Sequence, residues 1–377
     1  MSIRFSHREI VSNENMIVDR VEAFIDRTLE KALASRTGTV DVFHLCGLLS
    51  LEVICRLSFN CEFAKDSNTS HRLLNALEGS VLAMILNPIF PFLRTASYRT
   101  KLPGPVGHAY RCFLEGERIT REMLQGLQSQ QIDATEKLRR FVAAPLLDEP
   151  NKHLGRTYKF DEATEEAMGL AVAGSGVTEH TMIYFLYALA RPEGRHIQER
   201  LRKELSESGA TSFTEISTLP YLTAVMKEVY RVYPVIMSTL PRILSAPLAI
   251  KGENNITSLP PGTVVGMQNY VHHRDPELFP QPDAFVPERW LENGESNLTT
   301  DLKDMNAALT PFSLGSRNCL GQTLAKVELY LAFTHIMRGL DFRLSESMTE
   351  GDMRMMDFWA VFPKSAKLVL DVKSVTG

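Results

Sequence analysis

The sequence predicts a mainly helical protein with a small β portion. Two observations support this prediction. Long segments with apolar residues at helical spacing fill the first half and the end of the chain, and short segments punctuated by proline and glycine lie between about 240 and 270. With 377 residues, of which 44% are hydrophobic and 23% charged, the chain can bury a large core.

The helical pattern recurs along the chain with few interruptions. We expect helices at about 13–35, 41–60, 68–87, 105–130, 161–190, 192–208, 219–234 and 320–339. Pro192 stands near the start of one of them, and Pro234 stops another. Because no internal repeat, low-complexity tract or Gly/Ser linker marks a boundary, we expect residues 1–377 to form a single domain.

Charge and cysteine usage exclude some classes of protein. The net charge of −4 gives no basic field for nucleic acid. Five cysteines are an odd number without disulfide-like spacing, which favours a reducing compartment. The N-terminal residues lack the apolar core of a signal peptide or anchor and lead directly into an amphipathic helix.

One apolar segment, Val81–Leu93, has two interpretations. Pro88 and Pro91 break it, and it is too short to span a bilayer. It is either the end of a helix packed in the core or a loop that faces a membrane or a substrate.

The residues around Cys319 indicate a reactive thiol. Cys319 lies just before the apolar-periodic helix at 320–339, where the helix macrodipole is expected to favour the thiolate. Gly315 and Gly321 permit a tight turn and the close approach of a bulky group, and Arg317 adds a cation. A lone cysteine is usually a small buried hydrophobe, but these neighbours favour a ligand site.

The segment Phe312-Ser-Leu-Gly315-Ser-Arg317-Asn-Cys319-Leu-Gly321 resembles the haem-binding loop of the cytochrome P450 superfamily at every defined position. The resemblance implies haem b (iron protoporphyrin IX) with Cys319 as the proximal iron ligand. It also implies that Arg317 pairs with a haem propionate, that Phe312 packs beside the thiolate and that the two glycines let the loop lie against the porphyrin.

Further residues resemble the same family in the same order. Glu228 and Arg231 match its E-x-x-R motif, and the spacing puts both charges on one helical face. The segment Phe285–Trp290 is similar to the family's P-E-R-F/W segment, which implies that Arg289 joins these two in a buried ion network. Arg242 matches a second propionate-binding arginine. The pair His272–His273 is expected to be a polar loop rather than a metal site.

The segment Leu170–Ala190 is similar to the family's long distal helix. A membrane span is excluded because charged and polar residues in mid-span would be costly. Ala173 and Gly174 match the positions that let this helix open over the haem and leave room for O2. The acid and the alcohol that follow in the family are replaced here by Gly176 and Val177.

Two neighbouring residues are candidates for the missing proton delivery. Thr178 matches a more variable hydroxyl position but lies about 100° around the helix from Val177. Glu179, with His180, could relay protons from a neighbouring face. The alternative, which we weigh more heavily, is that these side chains are satisfied against other helices.

The resemblance implies a haem-thiolate monooxygenase with a cytochrome P450 fold that lacks its N-terminal part. It would insert one oxygen atom from O2 into an apolar small molecule, with electrons from an NADPH-dependent flavoprotein reductase. Fungal microsomal members of secondary metabolism are the most similar in style. The family location is the cytosolic face of the endoplasmic reticulum, but without an anchor a cytoplasmic or peripheral location is open. A non-hydroxylating enzyme (rearrangement, dehydration or cyclisation) and an inactive truncated remnant are the alternatives.

Overall fold

The computed structural model describes residues 5–63, 68–251, 256–292, 301–358 and 360–375. Fifteen α-helices lie within these ranges: α1 His7–Val11, α2 Glu14–Ala34, α3 Phe43–Phe59, α4 Asn68–Ile89, α5 Pro91–Thr95, α6 Gly104–Ser129, α7 Ala134–Arg140, α8 Ala144–Asp148, α9 Phe160–Ala190, α10 Arg195–Ser208, α11 Phe213–Ile216, α12 Pro220–Val232, α13 Asn269–His272, α14 Leu302–Ala308 and α15 Gln322–Gly339. Short 3₁₀ turns lie at Arg99–Lys101, Pro192–Gly194, Pro287–Trp290 and Gly315–Arg317.

The strands are short and form four separate sheets. They are β1 Thr39–Asp41, β2 Arg242–Ile243, β3 Leu248–Lys251, β4 Ile256–Leu259, β5 Val264–Val265, β6 Leu340–Leu344, β7 Met355–Phe358, β8 Ala360–Pro363 and β9 Val369–Ser374. One sheet has three antiparallel strands in the order β1-β9-β6, and the pairs β2-β5, β3-β4 and β7-β8 are two-stranded. The predicted mainly helical fold with a small β portion is confirmed.

The eight predicted helices agree with α2, α3, α4, α6, α9, α10, α12 and α15 to within a few residues. The β segment predicted near 240–270 corresponds to β2–β5, apart from residues 252–255, which lie outside the described ranges. The three-stranded sheet was not predicted, because its register joins distant parts of the chain: Thr39 pairs with Asp371. Period-two patterns in strands this short carry little signal.

Helix α9 lies at the centre of the fold. Every residue from Thr181 to Ala190 is buried, because α9 packs against α3, α12 and α15. Phe185 of α9 stacks on Phe333 of α15 with the ring centroids 3.5 Å apart. Since α15 begins three residues after Cys319, this contact fixes the position of the cysteine loop relative to α9.

The segment Val81–Leu93 is divided between α4 and α5. Ala83 is buried, but Ile89 and Phe92 are each 60% exposed and Phe90 is 43% exposed. The interpretation of the whole segment as a helix end packed in the core is therefore wrong for its second half. Among the described residues, no helix is long and apolar enough to cross a membrane.

Candidate functional site: the cysteine loop and the cavity beside α9

A tight loop holds Cys319 in front of α15. The Cys319 N–H donates to the Phe312 carbonyl at 2.8 Å, which closes the loop. Ser313 and Gly315 both have positive φ values, 60° and 73°, and the Asn318 N–H donates to the Gly315 carbonyl at 3.2 Å. A left-handed backbone favours glycine, so Gly315 is explained by the turn itself.

The sulfur of Cys319 lies at the N-terminal end of α15. Backbone N–H groups of Gly321 and Gln322 hydrogen bond to it and oppose a rise in its pKa, but partial burial is the larger effect and raises the pKa. The amides at the helix terminus act in the predicted direction, and the net rise in the pKa comes from burial, which the sequence did not reveal. A Cβ added at Gly321 would lie 4.0 Å from Sγ, in ordinary contact.

The surroundings of this loop are exposed and partly apolar. Leu314 is 69% exposed and Leu320 is 46% exposed, and Cys319 is itself exposed. Phe312 packs edge-on against Tyr230 of α12, with the ring centroids 5.5 Å apart. A cysteine thiol can ligate iron, and beside exposed apolar side chains it provides a donor and a surface that fit a large, flat, iron-containing group.

The two arginines predicted to pair with haem propionates are both exposed. Arg317 lies in the 3₁₀ turn of the loop, and Arg242 begins β2. Arg242 donates to the carbonyls of Leu240 and Pro241, at 3.3 and 3.0 Å. Among the described residues, neither guanidinium forms an ion pair within 4.0 Å, so both remain available to an acidic ligand group.

The structure brings Glu228, Arg231 and Arg289 together in one buried network. Glu228 accepts from Arg231 Nη2 at 2.8 Å and from Arg289 Nε at 3.1 Å, and all three side chains are at most 2% exposed. Trp290 Nε1 also donates to Glu228, at 2.9 Å. One carboxylate thus pairs with two guanidinium groups, whose other donors bind backbone carbonyls.

His273 links this network to the cysteine loop, a connection that sequence reasoning missed. Its carbonyl accepts from Arg231 Nη1 at 3.1 Å, and its ring Nε2 accepts from the Thr310 N–H at 3.1 Å. His272 ends helix α13, so the expected polar loop is partly helical. Among the described residues, no cluster of three or more His, Cys, Asp or Glu side chains could hold a metal ion.

The residues predicted to lie on the distal helix differ in how far they are exposed. Ala173 is exposed and Val177 is half-buried, whereas Thr178 is 5% exposed. A Cβ added at Gly174 would lie 2.5 Å from Ile54 Cγ1, so this glycine is explained by close packing of α9 against α3. The contact of Gly174 with a cofactor stays a prediction.

A cavity of about 360 Å³ lies beside α9, between α3, α4, α6 and the β7-β8 hairpin. Its wall is mostly apolar, but Glu179 and His180 of α9 and Glu78 of α4 contribute to it. Burial raises the pKa of Glu179 well above its usual range, and it lowers the pKa of His180 to about 4. The pair Glu78 and Glu179 is not apparent from sequence, because about a hundred residues separate its members.

Comparisons with known proteins agree with this geometry. A family model described as "Cytochrome P450" matches residues 1–369. A cytochrome P450 monooxygenase, claJ, of Penicillium crustosum is 28% identical over 93% of this chain and 79% of its own length. Another, tazI of Aspergillus terreus, is 28% identical over 97% of this chain and 73% of its own. A third, tndB of Aspergillus flavipes, is 41% identical over 43% of this chain and 32% of its own.

Solved structures show the same fold. A retinoic acid-bound cyanobacterial CYP120A1 superimposes with a TM-score of 0.76 at 20% identity, covering 99% of this chain and 77% of its own. A cytochrome P450DA haem domain gives a TM-score of 0.75 at 17% identity, covering 98% and 75%.

The fold and the cysteine loop define a protein of the haem-thiolate class. Because the family model matches nearly the whole sequence, the chain belongs to the cytochrome P450 family, whose members are haem-dependent monooxygenases that use haem b.

Proposed function

We propose that the protein is a haem-thiolate monooxygenase that inserts one oxygen atom from O2 into an apolar small molecule. The observation that carries this proposal is the exposed Cys319, held by the Phe312 carbonyl and by the start of α15 in a loop that fits a haem. Residues 1–377 would act as one domain. The similarity to monooxygenases of Penicillium crustosum and Aspergillus terreus supports a role in fungal secondary metabolism.

The haem would be held by residues of the loop and the adjoining elements. Cys319 would ligate the iron, and Arg317 and Arg242 would pair with the propionates. Phe312, Gly315 and Gly321 would pack against the porphyrin, with Ala173 and Gly174 on the distal side. When bound, the haem supplies the activation of O2, and the protein supplies position, electrostatics and exclusion of water.

The backbone amides at the start of α15 would stabilise the thiolate form of Cys319. A metal ligand must be the thiolate, and the raised pKa of the Cys319 thiol opposes its formation. The N–H groups of Gly321 and Gln322 stabilise the negative sulfur, so they reduce the cost of deprotonation when iron binds.

Electrons would come from an NADPH-dependent flavoprotein reductase, as in the family. The cytosolic face of the endoplasmic reticulum is the proposed location. The exposed side chains of Ile89, Phe90 and Phe92 at the α4–α5 junction support contact with a membrane surface. Flotation of the protein with phospholipid vesicles, lost on Phe90→Ser and Phe92→Ser together, would test this contact.

A second candidate is a non-hydroxylating enzyme of the same family, and Gly176 and Val177 favour it. Neither side chain can hold a proton, and Gly176 lies in the cavity wall. Thr178 and Glu179 are the predicted substitutes for proton delivery, but of the two only Glu179 lines the cavity. Product analysis separates a hydroxylated product from a rearranged, dehydrated or cyclised one.

The reduced, CO-bound difference spectrum of the full chain tests the main proposal. The thiolate-ligated haem gives a Soret band shifted to long wavelength, and Cys319→Ser abolishes it. Cys112→Ser, which changes a half-buried cysteine elsewhere, retains it. Haem without that band would overturn the proposal, and failure to bind haem would favour an inactive remnant.

A further inference from the structure

Glu179 is a buried carboxyl group without a partner. It is 0% exposed, it lines the cavity beside α9, and neither carboxyl oxygen has a hydrogen-bond partner among the described residues. Gly47 of α3 makes room for it, because a Cβ at Gly47 would come within 3.0 Å of Glu179 Oε1. A desolvated carboxyl without hydrogen bonds is costly, and a ligand that pairs with it offsets that cost.

A second carboxyl group shares the cavity. Glu78 of α4 lines the same wall with a third of its side chain exposed. Burial raises the pKa of Glu78 to about 7. The negative charge of Glu78 adds to the effect of burial on Glu179 and raises the pKa of that carboxyl further. The two acids therefore repel each other when both are ionised, and a cation between them would relieve the repulsion.

The described lining of the cavity offers no permanent cation, although His44 Nδ1 of α3 lies 3.9 Å from Glu78 Oε1. Among the described residues, its lining contains no lysine or arginine. His180 is held neutral near pH 7, since burial lowers its pKa to about 4. The titratable groups around the two acids are Cys46 and His44 of α3, His108 of α6 and His180 of α9.

From this arrangement we propose that the cavity binds apolar molecules that carry one protonated amine, with Glu179 as the counter-ion and Glu78 as a second acceptor. This substrate class rests on the proposed monooxygenase function. The apolar body would lie against Leu77, Val81, Leu82 and Val172. An ammonium–carboxylate pair is strong in such surroundings because little water screens it.

Two other roles for Glu179, a proton relay and a partner for a neutral alcohol or carbonyl group, fit its contacts less well. A proton relay through side chains needs a hydrogen-bonded neighbour, and among the described residues neither oxygen of Glu179 is bonded to one. A neutral alcohol or carbonyl would pair with one protonated carboxyl, but it would not lower the cost of ionising the second carboxyl in the same cavity. An ammonium group satisfies both acids.

Isothermal titration calorimetry with the haem-loaded full chain tests the proposal, without reductase or NADPH. The probe is N,N-dimethyl-4-phenylbutylamine, a tertiary amine chosen because it is a poor iron ligand. The matched neutral probe is 4-phenylbutyl methyl ether. Titration in two buffers with different ionisation enthalpies measures the protons released on binding.

We expect the amine to bind more tightly than the ether and to release roughly one proton, because the carboxyl ionises when the cation enters. Its affinity should rise from pH 6 to pH 8, since the carboxyl groups lose protons while the amine keeps its own. Glu179→Gln should weaken amine binding by about ten- to a hundredfold and reduce proton release to the part that comes from Glu78, with little effect on the ether. Glu78→Gln should have a smaller effect.

Glu166→Gln on the exposed face of α9 is the matched control and should leave both affinities unchanged. Glu179→Gln removes an unpaired buried acid, so we expect it to fold; its melting temperature checks this. Equal affinities for the two probes, no binding of either, or an amine preference that survives in Glu179→Gln would each overturn the proposal. The CO difference spectrum judges the monooxygenase function separately.

Discussion

The ring of His273 accepts a hydrogen bond from the Thr310 backbone N–H, with 3.1 Å between Nε2 and N. Thr310 stands at the start of the cysteine loop, and its carbonyl also accepts from Asn269 Nδ2 at 3.3 Å. Because the His273 carbonyl accepts from Arg231, one buried histidine connects the ion network to the loop. The network therefore acts on the site by holding the backbone at which the loop begins.

Replacing His273 with alanine should loosen the loop before it unfolds the protein. The Thr310 N–H would be left buried without a partner, at a cost of about 1–3 kcal/mol in the free energy of unfolding. We expect faster haem loss, measured by transfer to an excess of apomyoglobin. His153→Ala, at an exposed position, is the control. Unchanged haem retention in His273→Ala would contradict the connection.

Sequence patterns predicted the helices well because each long helix carries its own apolar periodicity. The cysteine loop was also predictable, since its glycines, arginine and cysteine stand within ten residues of one another. The link through His273 was not predictable, because Arg231 and Thr310 each lie about 40 positions from His273 in the sequence, one before it and one after it. The expectation that the His272–His273 pair forms a polar loop did not include the buried ring of His273.

The two acids of the cavity, Glu78 and Glu179, are a second example of a site that the sequence did not predict. Glu179 was singled out because it is polar within an apolar helix, but Glu78 lies on the amphipathic helix α4, where its sequence context is that of an ordinary surface acid. Only the packing of α4 against α9 brings the two into one cavity. Likewise, Gly174 matched a family motif, whereas its tight packing against Ile54 required coordinates.

Restoring the acid and the alcohol on α9 should improve the use of O2. A Cβ added at Gly176 meets nothing within 4 Å, so Gly176→Asp has room beside Val177→Thr. If the enzyme hydroxylates its substrate, we expect the double variant to raise the ratio of product to hydrogen peroxide about tenfold or more, a part of the roughly 10²–10⁴-fold that general acid–base catalysis contributes. Peroxide and product assays at saturating substrate measure it, with Gly176→Ala as the control. An unchanged ratio would favour non-hydroxylating chemistry.

Glu328 should make the protein less stable as the pH rises. It is 1% exposed on α15, and burial raises its pKa to about 8, against a smaller opposing effect of Ser50. The folded state therefore holds this proton up to a higher pH than the unfolded state. Its stabilising contribution is complete below about pH 4.5 and is lost as the pH rises through about 8.

Glu328→Gln should remove this dependence. Compared with the wild type, the variant should gain stability by at most about 1.4 kcal/mol per pH unit between pH 5 and 8. Urea unfolding at several pH values measures the difference, with the exposed Glu166→Gln as the control. Parallel stability curves for wild type and Glu328→Gln would show that the carboxyl does not titrate in this range.

Two glycines of α9 should respond to alanine in opposite directions. At Gly174 the new methyl group would lie 2.5 Å from Ile54 Cγ1, so Gly174→Ala should lower the free energy of unfolding by about 1–3 kcal/mol. At Gly169, where nothing lies within 4 Å, alanine should raise it by up to about 1 kcal/mol, because glycine is a poor helix former. Ile54→Val should recover part of the loss in Gly174→Ala, and urea denaturation measures all three. If Gly174→Ala is as stable as Gly169→Ala, close packing against α3 is not what requires glycine there.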